Sequence, residues 1–95
     1  MWSNPDWAAA HIRKHSVTLD ETWYVAFECE EAVFIQSPDQ LRYPPFIRYW
    51  TIGRTGNGRR LLVVWEQHRE IVNLITAYEP SEDRVKIYER QKKKR

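Results

Sequence analysis

The sequence predicts an α+β fold with two N-terminal helices, a three- to four-stranded antiparallel sheet and a C-terminal helix. Three observations carry that expectation. From Phe46 onward the apolar spacing changes from a helical period to a period of two. Thr55-Gly56-Asn57-Gly58 interrupts the alternation with residues that tolerate the positive φ of a tight hairpin. Thr18-Leu19-Asp20-Glu21 has capping-box spacing, in which a Thr hydroxyl and a Glu carboxylate each satisfy the other's backbone N–H at a helix start.

Asn4-Pro5 reads as the first helix start, because Asn caps free N–H groups and Pro tolerates the first helical position. Asp6 suits the positive end of the helix, and Ala8, Ile12 and His15 fall on roughly one face. Ser16 and Val17 end this segment. The second helix opens at Thr18, carries Leu19, Trp23 and Phe27 as a buried stripe, and ends between Glu28 and Glu31.

Ala32 to Gln36 is a short apolar run that reads as a first strand. Ser37 to Pro45 contains three prolines and reads as a loop. In the next strand Phe46, Arg48, Trp50, Ile52 and Arg54 share one face, and Ile47, Tyr49, Thr51 and Gly53 the other. Arg60 to Trp65 is a dense run of β-formers and reads as the central strand. After a turn at Gln67 to Arg69, Ile71 to Tyr78 forms a last strand, with Ile71, Asn73, Ile75 and Ala77 alternating against Val72, Leu74, Thr76 and Tyr78. Pro80 ends the sheet, and Ser81 caps a helix with Glu82 and Asp83 in its first turn and Val85 and Tyr88 beyond.

Ninety-five residues suffice for one hydrophobic core and not for two, so residues 1–91 are read as a single domain with a basic tail at 92–95. Hydrophobic residues make up 42% and charged residues 29% of the chain, a globular balance that argues against general disorder. Cys29 is the one cysteine, which excludes an internal disulfide and fits a reducing compartment. The first ten residues lack the apolar run of a signal peptide, and no stretch has the length of a membrane span, so a cytoplasmic protein is expected. Of the 15 basic residues five lie in 90–95, leaving ten against 13 acidic residues elsewhere, a net of −3. The positive charge is thus partly a tail, suited to steering toward nucleic acid or an acidic partner, and equally suited to a solvated helix C-terminus.

No phosphate-binding loop and no cluster of cysteines and histidines at ligand spacing occurs. His11 and His15 at i,i+4 lack a third ligand nearby, and neither a metal nor a cofactor is expected. The side chains that remain suit RNA cleavage without a metal. That reaction needs a base for the 2′-hydroxyl, an acid for the leaving 5′-oxygen, and cations for the charge on the phosphorane. Candidates are His15, Lys14, Arg48, Arg54, Arg60, Thr76 and Tyr78. Histidine is the side chain that ordinarily titrates near neutral pH. Each candidate also has a structural reading: His15 bonded locally at a helix end, Arg48 and Arg54 snorkelling at a core edge, Thr76 and Tyr78 as ordinary strand residues. Trp7, Trp50 and Trp65 are able to stack on bases, with core packing as the alternative.

The segment from Trp7-Ala8-Ala9-Ala10 through Lys14-His15-Ser16-Val17 to Glu21 resembles the opening of BrnT-type toxins. Arg48-Tyr49-Trp50-Thr51-Ile52-Gly53-Arg54-Thr55, followed by Gly58-Arg59-Arg60-Leu61-Leu62-Val63-Val64, is similar to the family's strand, Gly-containing turn and Arg-Leu-Leu-Val-Val strand. Ile75-Thr76-Ala77-Tyr78 falls where the family has its last strand, with a capped helix carrying Tyr88-Glu89 after it. The resemblance covers most of the chain in order. It implies a RelE-like architecture and a ribonuclease of a type II toxin–antitoxin system, neutralised by a cognate antitoxin of ribbon-helix-helix type. In that reading His15 is the general acid or base. Lys14, Arg54 and Arg60 clamp phosphate, and Thr76 and Tyr78 orient it. Arg48 contributes to substrate binding. The family's usual Ile-Ser-Ala-Arg ending has Tyr78 in place of the arginine, exchanging a fixed charge and five donors for one hydroxyl, so the arginine's role is either reassigned or lost. A non-catalytic RNA-binding or protein-interaction domain of the same fold, and a dimer formed through exposed aromatics, are the alternatives.

Overall fold

The computed structural model describes residues 1–36 and 44–93, with the backbone alone at 87, 88 and 91–93. Helix α1 spans Pro5–Ile12 and runs into a 3-10 turn, Arg13–His15. Helix α2 spans Leu19–Trp23 and continues as a π-helical turn, Tyr24–Glu28. Strands β1 (Val33–Gln36), β2 (Ile47–Arg54), β3 (Arg60–His68) and β4 (Ile71–Tyr78) precede helix α3 (Glu82–Lys93). The strands form one antiparallel sheet in the order β1-β2-β3-β4, a meander in which each strand pairs with its neighbour in sequence. The expected layout of helices and strands is therefore the observed one. The expected loop from Ser37 to Pro45 falls largely outside the described residues, as do the side chain of Tyr88 and the end of the basic tail.

Alternation along β2 and β3 gives the sheet two apolar faces. On the first, Leu61, Val63, Trp65, Leu74 and Ala77 pack with Ala8, Ile12, Val25 and Ala26 from the helices. On the second, Val33, Ile52, Leu62 and Val64 form a smaller cluster flanked by Ile35, Trp50, Ile75 and Tyr78. Helix α3 lies over this second face, its Arg84 guanidinium 4.0 Å from the centre of the Trp50 ring. Full burial of Ile12, Leu61, Leu74 and Val25 contributes about 1.5–3 kcal/mol each, so the first face dominates the stability.

The expected caps at Thr18 and Ser81 are present. Thr18 and Glu21 form the reciprocal capping box, and the Arg84 N–H donates to Ser81 Oγ. Asn4 behaves differently: its side chain makes no cap bond to α1. Instead its Nδ2 donates to the Leu74 carbonyl and its Oδ1 accepts from the Leu74 N–H, so the amide acts as one more strand residue on the outer edge of β4. Ser3 does the same at Val72. Pairing an otherwise open edge outweighs one cap bond.

Two expected periodicities are corrected. The Leu19, Trp23, Phe27 stripe is not the deepest part of α2: Thr22, Val25 and Ala26 are fully buried, whereas Phe27 is 40% exposed. The π-helical turn adds a residue to the helical repeat and rotates the buried face toward Val25 and Ala26. In β4, Leu74 and Ala77 occupy the same core, and Ile75 joins Tyr78 on the opposite face. Val64 pairs with Thr76 and Trp65 with Leu74, so Ile75 is the extra residue of a β-bulge that shifts the alternation. The turn expected at Gln67 to Arg69 also moves: β3 runs on to His68, and the chain reverses at Arg69, which adopts φ 54.

Candidate active site

Burial of Ala8 and Ile12 fixes α1 against β4 and so fixes where the chain exits at His15. Ser16 ends the 3-10 turn in the left-handed region with φ 56, its N–H donating to the Arg13 carbonyl at 3.0 Å. That reversal leaves His15 half-buried with its ring centre 5.8 Å from the Tyr78 ring, tilted by 50°. Tyr78 is the last residue of β4, opposite Leu62 on β3. A histidine and a tyrosine 63 positions apart in the chain thus meet at one end of the sheet. Lys14 is exposed on the same turn.

Arg54 and Arg60 meet across the hairpin as cross-strand partners. The turn between them is held by the Gly58 N–H on the Thr55 carbonyl at 2.9 Å, the Thr55 N–H on the Arg59 carbonyl at 2.8 Å and a Thr55 hydroxyl bond to Asn57. Gly58 has φ 89, a conformation that side chains with a Cβ resist. Arg54 is exposed and donates to the Gly58 carbonyl at 3.2 Å. Arg60 forms a 3.5 Å ion pair with Glu89 of α3, and its Nε is buried without a hydrogen-bond partner among the described residues. Both arginines line one depression together with Arg59, Glu79 and Glu82.

Arg48 and Thr76 lie elsewhere. Arg48 sits at the opposite end of β2, six residues or about 20 Å from Arg54. There it pairs with Glu66 at 3.2 Å, the two side chains only 16% and 14% exposed, and Glu66 also accepts from Asn73. Thr76 is half-buried opposite Val64. The structure therefore brings His15 to Tyr78 and Arg54 to Arg60, and leaves Arg48 and Thr76 outside both pairs.

The side chain that joins the two pairs is Arg59, which sequence reasoning missed. It follows the turn and alternates with Arg60, so it points to the helix-bearing side, toward the carbonyls at the end of the first helical segment. The sequence marks it only as a basic residue flanking a hairpin; that it meets a helix C-terminus depends on contacts 43 and 44 residues away. The tryptophans divide by depth. Trp65 is a core residue at 3% exposure whose Nε1 donates to Thr51, Trp50 lies half-buried beneath Arg84, and Trp7 is exposed and stacked on His11 at 4.9 Å. Among the described residues no three His, Cys, Asp or Glu side chains converge as a metal-binding group, and no helix is long and apolar enough to cross a membrane. No protein-family model matches the chain, and no curated protein sequence matches it significantly.

Proposed function

We propose that the chain is a metal-independent endoribonuclease, the toxin of a type II toxin–antitoxin pair of BrnT type, working by acid–base chemistry at the His15–Tyr78 end of the sheet. The observation that carries this reading is the 5.8 Å approach of His15 to Tyr78, linked through Arg59 and Glu79 to the depression that holds Arg54 and Arg60. An imidazole can take the 2′-hydroxyl proton and return one to the leaving 5′-oxygen. Arg54, Arg60 and Lys14 supply cations for the phosphorane, and the Tyr78 hydroxyl supplies one donor where a family arginine would supply five. Arg48 is assigned to substrate beyond the scissile phosphate, because it lies about 20 Å from Arg54, and Thr76, two residues before Tyr78 on β4, to substrate binding nearer that end.

RNA cleavage by the wild type is to be compared with His15→Ala, Arg54→Ala and Tyr78→Phe proteins. Loss of the base is expected to cost about 10²–10⁴-fold and loss of an oxyanion donor about 10²–10³-fold. Undiminished cleavage by all three variants would sink the assignment. The partner in this reading is a ribbon-helix-helix antitoxin, tested by growth arrest on expression and rescue by the neighbouring gene.

One observation favours a second reading. Glu66 and Glu89 already neutralise Arg48 and Arg60, and α3 covers Trp50 on the same face. A non-catalytic RNA-binding or protein-interaction domain needs no open phosphate clamp. It predicts salt-sensitive binding without strand scission.

A further inference from the structure

The geometry points to Arg59 as a positioning residue for the His15–Tyr78 pair, an assignment that takes its functional meaning from the proposed ribonuclease reading. Its backbone is built into the hairpin turn: the Arg59 N–H donates to Thr55 Oγ1 at 3.1 Å, and its carbonyl accepts from the Thr55 N–H at 2.8 Å. From that fixed base the guanidinium reaches 43 and 44 residues back along the chain. Nη1 donates to the Ser16 carbonyl at 2.6 Å and Nη2 to the His15 carbonyl at 2.9 Å. Nε donates to Glu79 Oε1 at 2.8 Å, and Glu21 of α2 stands 4.0 Å from Nη1.

These partners are the two ends of the pair. The His15 and Ser16 carbonyls end the first helical segment, where unsatisfied oxygens and the helix dipole favour a cation. Glu79 is the residue next to Tyr78. One planar fork thereby ties the backbone of His15 and the side-chain carboxylate of Glu79, the neighbour of Tyr78, to the same turn. Its hydrogen bonds end on backbone carbonyls and a carboxylate, leaving the rings to face each other. A lysine offers a single charged nitrogen on a flexible stem and cannot span two adjacent carbonyls and a carboxylate at once. Removing the fork frees the 3-10 turn to shift while α1 stays anchored by Ala8 and Ile12.

The test uses the full chain as Arg59→Lys and Arg59→Ala. Two-dimensional NMR of wild type and Arg59→Lys reads the nuclear Overhauser contact between the His15 and Tyr78 rings, which does not depend on activity. The contact is expected in wild type and lost or strongly weakened in Arg59→Lys, with the remaining amide spectrum preserved. In single-turnover RNA cleavage the rate at saturating protein is expected to fall about 100-fold, the cost of an ångström-scale misplacement, with substrate affinity within about 3-fold. Added methylguanidinium is expected to restore part of the rate to Arg59→Ala. A ring contact that persists in Arg59→Lys overturns the inference, and so does a loss confined to affinity, which would make Arg59 a direct phosphate ligand. A wild type that cleaves no RNA removes the ribonuclease reading and leaves the ring contact to decide the positioning role. If Arg59→Ala does not fold, Arg59→Lys carries both readouts.

Discussion

Gly53 sets how closely the π-helical turn approaches β2, immediately before Arg54, and Gly53→Ala tests that closeness. A Cβ there would stand 3.1 Å from Ala32 Cβ, 3.2 Å from Cys29 Sγ and 3.3 Å from Val25 Cγ1. All three distances are shorter than ordinary van der Waals contact. Only Cys29 can rotate aside. Ala32 Cβ moves only with the backbone, and Val25 is fully buried. Overpacking of this kind costs about 1–3 kcal/mol. Alanine also restricts the unfolded chain, which returns about 0.4–1 kcal/mol where the native backbone suits it. The expected net loss is about 1–2 kcal/mol, and at about 4–8 °C per kcal/mol for a domain of this size the Tm should fall by about 5–15 °C. Thermal and urea melts followed by tryptophan fluorescence measure it. Cys29→Ala removes one of the three clashes, so combining it with Gly53→Ala should give a favourable coupling of about 0.5–1 kcal/mol. A Tm for Gly53→Ala within 2 °C of wild type, about 0.25–0.5 kcal/mol on that scale, would mean the turn yields freely and the close-approach argument is wrong.

Other expectations follow from the same packing. Trp2→Ala should cost about 3–5 kcal/mol, close to unfolding the chain in a denaturant titration, because Trp2 is 3% exposed, donates to Thr22 and packs edge-on against Trp23. Thr18→Ala should cost about 1 kcal/mol and lower the Tm by about 4–8 °C through loss of the capping box. Glu89→Gln should leave the Tm nearly unchanged, since its pair with Arg60 is 38% and 46% exposed; on the proposed ribonuclease reading it should also strengthen RNA binding in low-salt fluorescence titrations by freeing that cation.

Legibility in the sequence followed the range of the interactions involved. The capping box at Thr18 and Glu21 and the hairpin at Thr55 to Gly58 are local, and both lie where their spacing put them. Elements governed by distant partners were opaque. Asn4 has the composition of a cap, yet the edge of β4 seventy residues later competes for its amide and wins. The bulge at Ile75 leaves no mark in β4 itself, because it depends on where Trp65 and Leu74 pair across the sheet. Trp2 belongs to no local sequence pattern and is one of the least exposed aromatics, since the pocket that receives it is made by Thr22 and Trp65. The candidate site splits along the same line: alternation and the hairpin together place Arg54 opposite Arg60, whereas the meeting of His15 with Tyr78 and the reach of Arg59 required the tertiary fold.

The division of the sheet into two faces bears directly on what Tyr78 can do. Tyr78 flanks the smaller apolar cluster, yet its ring reaches His15 on the helix-bearing side, so it stands at the margin between the two faces. An arginine at that position would place a third guanidinium within a few residues of Arg59 and Arg60. Its mutual repulsion would be offset only by the carboxylates of Glu79 and Glu89 or by a bound phosphate. With tyrosine there, Arg59 is held by Glu79 and flanked by Glu21, and Arg60 is held by Glu89, so both guanidiniums already face carboxylates. On the proposed ribonuclease reading a phosphate has to compete with a carboxylate for the Arg59 and Arg60 guanidiniums, whereas that of the exposed Arg54 donates to the Gly58 carbonyl. Tyr78→Arg tests this competition. On the proposed ribonuclease reading it should strengthen RNA binding and steepen its salt dependence by about one phosphate contact, while disturbing the His15 ring that now rests against the tyrosine. Unchanged salt dependence in that variant would place the arginine away from the phosphate path, and with it Tyr78.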